Sequence, residues 1–256
     1  MVCEAALGNK DAGFPIKFLY VFIHLYINMA NPNKHNEHSV VGKTSIITDR
    51  AALKELSKHR YDKDEINEFQ MNEAINNHPL AKRPTNVRSK MAYAEILTNM
   101  KPTTKYLLPG QCVVFEYLEP KFKEELEYYD RTPFVIFLGI TRTNDGNIRE
   151  VGLNLHYFPP FTRARIMQRT YELFKPYFNK YFNDPTKKPN TFISYRALKH
   201  IMKHNDKIAF GIKMYIPVLR SSSYVLPTRM LPTAFYTEGH FSKATLAQIF
   251  QFWRQF

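Results

Sequence analysis

Cysteine is nearly absent from this 256-residue chain, with only Cys3 and Cys112 and no pairing pattern. That excludes a disulfide scaffold and a cysteine-built zinc site, and it points to a reducing compartment. Acids are scarce in the C-terminal part, where residues 151–256 hold only Glu172, Asp184, Asp206 and Glu238, widely scattered. Two-metal nucleases and glycosidases need clustered carboxylates, so both classes are disfavoured. A long apolar run is missing as well. "FPIKFLYVFIHLYIN", residues 14–28, contains Lys17 and His24 and falls short of the roughly 20 apolar residues that span a bilayer. The polar "MANPNKHNEH" after it offers no small-residue cleavage site. "VVGKTS", residues 40–45, echoes the end of a phosphate-binding loop, but Glu37 stands where the first glycine belongs, so no nucleotide site is read there.

What is present is a globular composition, 44% hydrophobic and 23% charged, with a net charge of +13. The excess is lopsided. Residues 151–256 carry 16 Lys and Arg against those four acids, whereas residues 1–150 hold 20 basic and 19 acidic residues. Such asymmetry favours a polyanionic partner, either nucleic acid or an acidic protein surface.

Three regions are expected. Residues 1–28, rich in Phe, Tyr, Ile, Leu, Asn and Lys, read as an upstream extension ahead of a start at Met29, with a peripheral anchor or a packed strand as the alternatives. Residues 29–106 read as a flexible arm with short helices. "TDRAALKELSKHR", residues 48–60, is capped by Thr48 or Asp49, and "DKDEINEFQMNEAINN" after it places Ile66, Phe69 and Ile75 on one side. Residues 107–256 read as the core domain.

That core opens with dense β-forming runs. "CVVFEY" from Cys112, "PFVIFLGITRT" from Pro133 and "VGLNLHYF" from Val151 read as three strands, with an "NDG" turn signal at 144–146. Short connections suggest an antiparallel meander, and the absence of a helical crossover between them disfavours a parallel sheet. After Pro159 and Pro160 the pattern turns helical: Ile166, Met167, Thr170, Tyr171 and Phe174 share one face, and Arg165 and Arg169 lie on another. "SYRALKHIMKHNDK", residues 194–207, starts at a Ser194 cap, with Tyr195, Leu198 and Met202 apolar and Arg196, Lys199, Lys203 and Lys207 as a basic stripe. Residues 213–236 read as extended segments limited by prolines, and "SKATLAQIFQFWRQF" as a closing helix. The fold class is α+β: a small antiparallel curled sheet or barrel-like core followed by basic helices, with a helical or flexible N-terminal arm.

No catalytic motif emerges. His200 and His204 have the spacing of a metal pair, but lysines flank them and no third ligand is evident; no metal and no cofactor is expected. The polyanion footprint consists of Arg163, Arg165, Arg169, Lys187, Lys188, Arg196, Lys199, Lys203, Lys207 and Arg220. Phosphate contacts tolerate such irregular spacing, because the electrostatic attraction is independent of sequence. Tyr171, Tyr177, Tyr181 and Tyr195 are interleaved with these cations, either as core residues or as stacking platforms.

"GQCVVFEYLEPKFKEELEYYDRTPFVIFLG", "VGLNLHYFPPFTRARIM" and "ISYRALK", in this order, resemble a family of virion-associated proteins of T4-like tailed bacteriophages, the type that protects DNA ends. The resemblance covers residues 107–256. It departs from the pattern at Glu127, where proline is expected, and at Arg149–Val151, where a Gly-Phe-Leu turn is usual. It implies a non-enzymatic virion protein that binds the ends of linear double-stranded phage DNA and shields them from exonuclease. The alternative is a structural component or adaptor of the phage neck, tail or baseplate. Implied partners are DNA termini, other virion proteins and a second copy of the chain, without a membrane; the implied locations are the virion and, during assembly, the host cytoplasm. The motif residues Tyr128, Tyr129, Asp130, Asn154, His156 and Tyr157 are expected to build a structural corner, with Asp130 and His156 meeting at one rim of the sheet.

Overall fold

The computed structural model describes residues 67–103, 107–118, 128–143, 145–182 and 193–254. The expected extension over 1–28, the helix over 48–60, Lys187 and Lys188 lie outside them. The elements below all fall within one compact unit of the chain.

Five strands form one antiparallel sheet: β1 (Cys112–Tyr117), β2 (Phe134–Arg142), β3 (Ile148–Asn154), β4 (Ile212–Tyr215) and β5 (Arg220–Val225). Their spatial order is β4-β3-β2-β1-β5. The expected meander is therefore its centre, and the C-terminal tail supplies both outer strands. The sheet curls strongly without closing. Bulges between Phe137 and Gly139 and between Phe115 and Tyr117 bend β2 and β1, since an extra residue in one strand raises the local twist. The curl carries Tyr215 of β4 edge-on to Phe115 and Tyr117 of β1, with ring centres 5.2 and 5.3 Å apart. The Tyr117 hydroxyl also accepts the Ile216 N–H at 2.9 Å. Leu107, Val113, Tyr129, Val135, Phe137 and Val225 complete this core cluster, each burial contributing on the order of 1.5–3 kcal/mol.

Strand β3 stops at Asn154 instead of running on to Phe158, because the Asn154 side chain accepts the His156 N–H and turns residues 155–157 into a 3-10 helix. Seven α-helices are described. α1 (Glu68–Asn77) is capped by Asn67, whose side chain accepts the Phe69 and Gln70 N–H groups. Its packed residue is Met71, and Phe69 is 76% exposed. α2 (Thr85–Asn99) buries Ser89, Ala92 and Ile96, three and four residues apart. Leu80, Ala92 and Tyr236 form a small cluster that joins this N-terminal pair to the C-terminal segment.

α3 (Pro160–Phe182) starts on proline, whose missing N–H costs nothing at a helix start. The single helix expected over 194–207 is two, α4 (Tyr195–Met202) and α5 (Asp206–Gly211), broken where His204 takes a left-handed φ of 73°. Ser194 caps α4 through the Ala197 N–H. α5 ends on Gly211, where a Cβ would lie 2.5 Å from the Phe158 ring, so only glycine admits this approach. α6 (Leu231–Ala234) and α7 (Leu246–Arg254) close the chain. No described helix is long and apolar enough to cross a membrane.

Candidate nucleic-acid interface

The sheet corner is assembled from segments distant in sequence. Asp130 Oδ2 accepts from His156 Nδ1 at 2.9 Å and from Asn154 Nδ2 at 2.9 Å. Asp130 Oδ1 accepts the backbone N–H groups of His240 at 3.1 Å and Thr132 at 3.2 Å. Burial works to raise the Asp130 pKa, but His156, Asn154 and the His240 N–H outweigh it and hold the carboxyl low. Burial lowers the His156 imidazole, with Asp130 opposing it. An ionised carboxylate accepting Nδ1–H from a neutral ring satisfies both. The Thr237 hydroxyl completes the chain, 2.9 Å from His156 Nε2 and 2.6 Å from the Ala234 carbonyl.

Hydroxyl, imidazole and carboxylate in this order are the parts of a hydrolase relay. Here His156 and Thr237 are both 0% exposed, so no substrate reaches the hydroxyl. The network instead fastens residues 237–241 to the sheet, where Asp130 also bridges Phe241. The motif tyrosines add to this: the Tyr157 hydroxyl donates to the Tyr128 carbonyl at 2.5 Å, and that of Tyr129 to the Tyr117 carbonyl. Thr237 carried no signal in the sequence, because its partner is 81 positions away.

The expected cations separate into three groups. Arg163 and Arg220 face inward. Arg163 is fully buried on α3; its Nε donates to the Phe158 carbonyl at 3.0 Å, and its Nη1 to the Phe235 and Thr237 carbonyls at 2.7 and 2.6 Å. Burial pulls its pKa down to about 10. The apolar spacing of Met167, Thr170 and Phe174, extended back one turn, lands on Arg163, so its inward direction was encoded in the periodicity. Arg220 of β5 forks onto Glu150 of β3, Nε to Oε2 at 2.9 Å and Nη2 to Oε1 at 3.0 Å, with both side chains about nine-tenths buried. Burial raises the Glu150 carboxyl against the opposing pull of Arg220. This pair braces the curl across two intervening strands. Neither guanidinium is open to a phosphate, and both are removed from the footprint.

Arg165 and Arg169 are exposed on α3 but partly compensated, by Glu68 at 3.0 Å and Glu172 at 3.1 Å. Arg196, Lys199, Lys203 and Lys207, from α4 to α5, are exposed, and among the described residues no carboxylate pairs with them. Lys207 lies over the Trp253 ring, 5.3 Å from its centre. Of the interleaved tyrosines, Tyr171 donates to the Gly110 carbonyl and packs on Phe178, and Tyr177 packs on Phe174 and Phe178. Both belong to the core side of α3. The side chains of Tyr181 and Tyr195 lie outside the described residues. No group of three or more His, Cys, Asp or Glu placed to hold a metal occurs among the described residues.

Compared with protein-family models, residues 33–225 match the family described as "Phage T4 terminal DNA protecting protein". The chain belongs to that family. Neither a curated protein nor a solved structure matches it. Membership makes it a bacteriophage virion protein concerned with DNA-end protection. The matched span holds the motif residues from Tyr128 to Tyr157 and the exposed cations of α3, α4 and α5. The segment that closes the corner, residues 237–241, follows the matched span.

Proposed function

We propose that the protein binds the ends of linear double-stranded DNA and shields them from exonuclease, with the cationic face of α4 and α5 as the principal phosphate contact. The observation that carries the reading is the set Arg196, Lys199, Lys203 and Lys207, exposed and without described acidic partners, in a chain of a terminal DNA-protecting family. Arg165 and Arg169 add exposed, partly compensated positive charge on α3. Phosphate neutralisation releases counterions, so affinity falls steeply with salt. Steric shielding of a terminus requires no bond-making, and the sealed Thr237–His156–Asp130 network serves as a structural brace.

The test is protection of linear duplex from an exonuclease, with binding to linear and closed circular DNA of equal length titrated in parallel over several salt concentrations. Selective protection of the linear form, abolished by changing Arg196, Lys199 and Lys203 together to Glu at unchanged melting temperature, is the expected result. Equal weak binding to both forms without protection would refute it.

A further inference from the structure

A duplex end differs from the duplex interior in two ways: its last base pair has an uncovered face, and its strands terminate. Cations alone do not register either difference, because phosphates repeat along the whole duplex. An end-selective protein therefore needs a further element, and the structure offers one suited to the uncovered face. Among the large apolar side chains of the described residues, Phe69 and Phe161 are the most exposed, at 76% and 74%. Neither ring is spent on the core.

Both belong to a joined pair of helices. Phe161 opens α3 one turn ahead of Arg165 and two turns ahead of Arg169. Phe69 follows Glu68, which is latched to α3 by its ion pair to Arg165 and by its N–H, which donates to Gln168 Oε1 at 2.8 Å. We propose that Phe161, assisted by Phe69, stacks on the terminal base pair of a linear duplex while Arg165 and Arg169 attract the adjoining phosphates. This inference rests on the end-binding reading above and names the element that gives it selectivity. Stacking suits the task because every base has a π-face, so an aromatic ring caps ends of any sequence. Glu73 brings negative charge to the Phe69 side, whereas Glu68 is already paired to Arg165. Phe161, with two arginines on its own helix, is thus the principal ring.

The experiment compares a blunt duplex with the same duplex closed at both ends by hairpin loops, which cover the terminal base pairs. Full-length protein and the variants Phe161→Ala, Phe161→Leu, Phe161→Tyr and Phe69→Ala are titrated against both. A 2-aminopurine at the terminal position reports stacking directly. The expected result is a wild-type preference for open ends, reduced about tenfold by Phe161→Ala and Phe161→Leu. Phe161→Tyr retains it, Phe69→Ala loses less, and closed-duplex affinity and melting temperature do not change. Retention of the full open-end preference in Phe161→Ala overturns the stacking while leaving the end-binding reading in place. An equal loss on both substrates also overturns it, by assigning the ring to general DNA contact. A wild-type protein indifferent to open ends overturns the end-binding reading itself.

Discussion

Replacing Arg163 with Met distinguishes a buried strut from a phosphate contact. The guanidinium supplies hydrogen bonds to the carbonyls of Phe158, Phe235 and Thr237, and it connects the start of α3 to the segment that closes the sheet corner. Methionine fills similar volume but leaves three acceptors facing apolar atoms. Each unsatisfied buried acceptor costs about 1–3 kcal/mol. Against that total stands the recovered cost of burying a guanidinium, which is several kcal/mol in a protein interior. A net loss of about 3–5 kcal/mol is expected, a large fraction of the roughly 5–15 kcal/mol that holds a domain folded. Urea denaturation, read by the tyrosine-rich near-ultraviolet circular dichroism, should show a lower midpoint at an unchanged slope. Arg163→Lys should recover only part of the loss, because one ammonium cannot reproduce the fork that serves acceptors on two segments. DNA affinity per folded molecule should remain near wild type. An unaltered midpoint together with lost DNA binding would refute the assignment and restore Arg163 to the phosphate footprint.

Acid should loosen the corner in two stages. Below about pH 6.5 the unfolded chain gains a proton at His156 that the folded ring, held low, does not take, so stability declines as pH falls. Below about pH 4 the unfolded Asp130 protonates before the folded one, and stability declines further until the pH passes through the lowered folded value. Melting temperatures measured from pH 8 to pH 3 should follow this course, and Asp130→Asn should remove the lower stage; a pH-independent melting temperature would contradict it. Glu150 acts in the opposite sense, since its raised carboxyl takes up a proton first in the folded state. Breaking its pair with Arg220 by Glu150→Gln at neutral pH should cost about 3–5 kcal/mol, while exchanging both residues for Met should cost much less. Thermal melts of the two variants measure the difference, and equal losses would show that the pair is not acting as a buried unit.

Local pattern was enough for the central meander, for the apolar face of α3 and for the Ser194 cap, because each depends on spacing within a few residues. The resemblance carried by the motif strands led to the same family that the match over residues 33–225 shows. Composition already separated a near-neutral N-terminal part from a basic C-terminal one. What required tertiary structure was the fate of individual charges. Helical periodicity sets Arg163 on the apolar face apart from Arg165 and Arg169, but its full burial among carbonyls, while the other two stay exposed, is decided by the fold. Whether a cation faces solvent depends on what packs over it, and for Arg163 that is a segment more than seventy positions away. Arg220 became a brace only because the bulged sheet curls far enough to bring β5 to Glu150 on β3. Helix α2 went unread, since its buried residues are few and its packing partner, Tyr236, is remote. Periodicity reports which residues share a face; only the folded chain decides what that face meets.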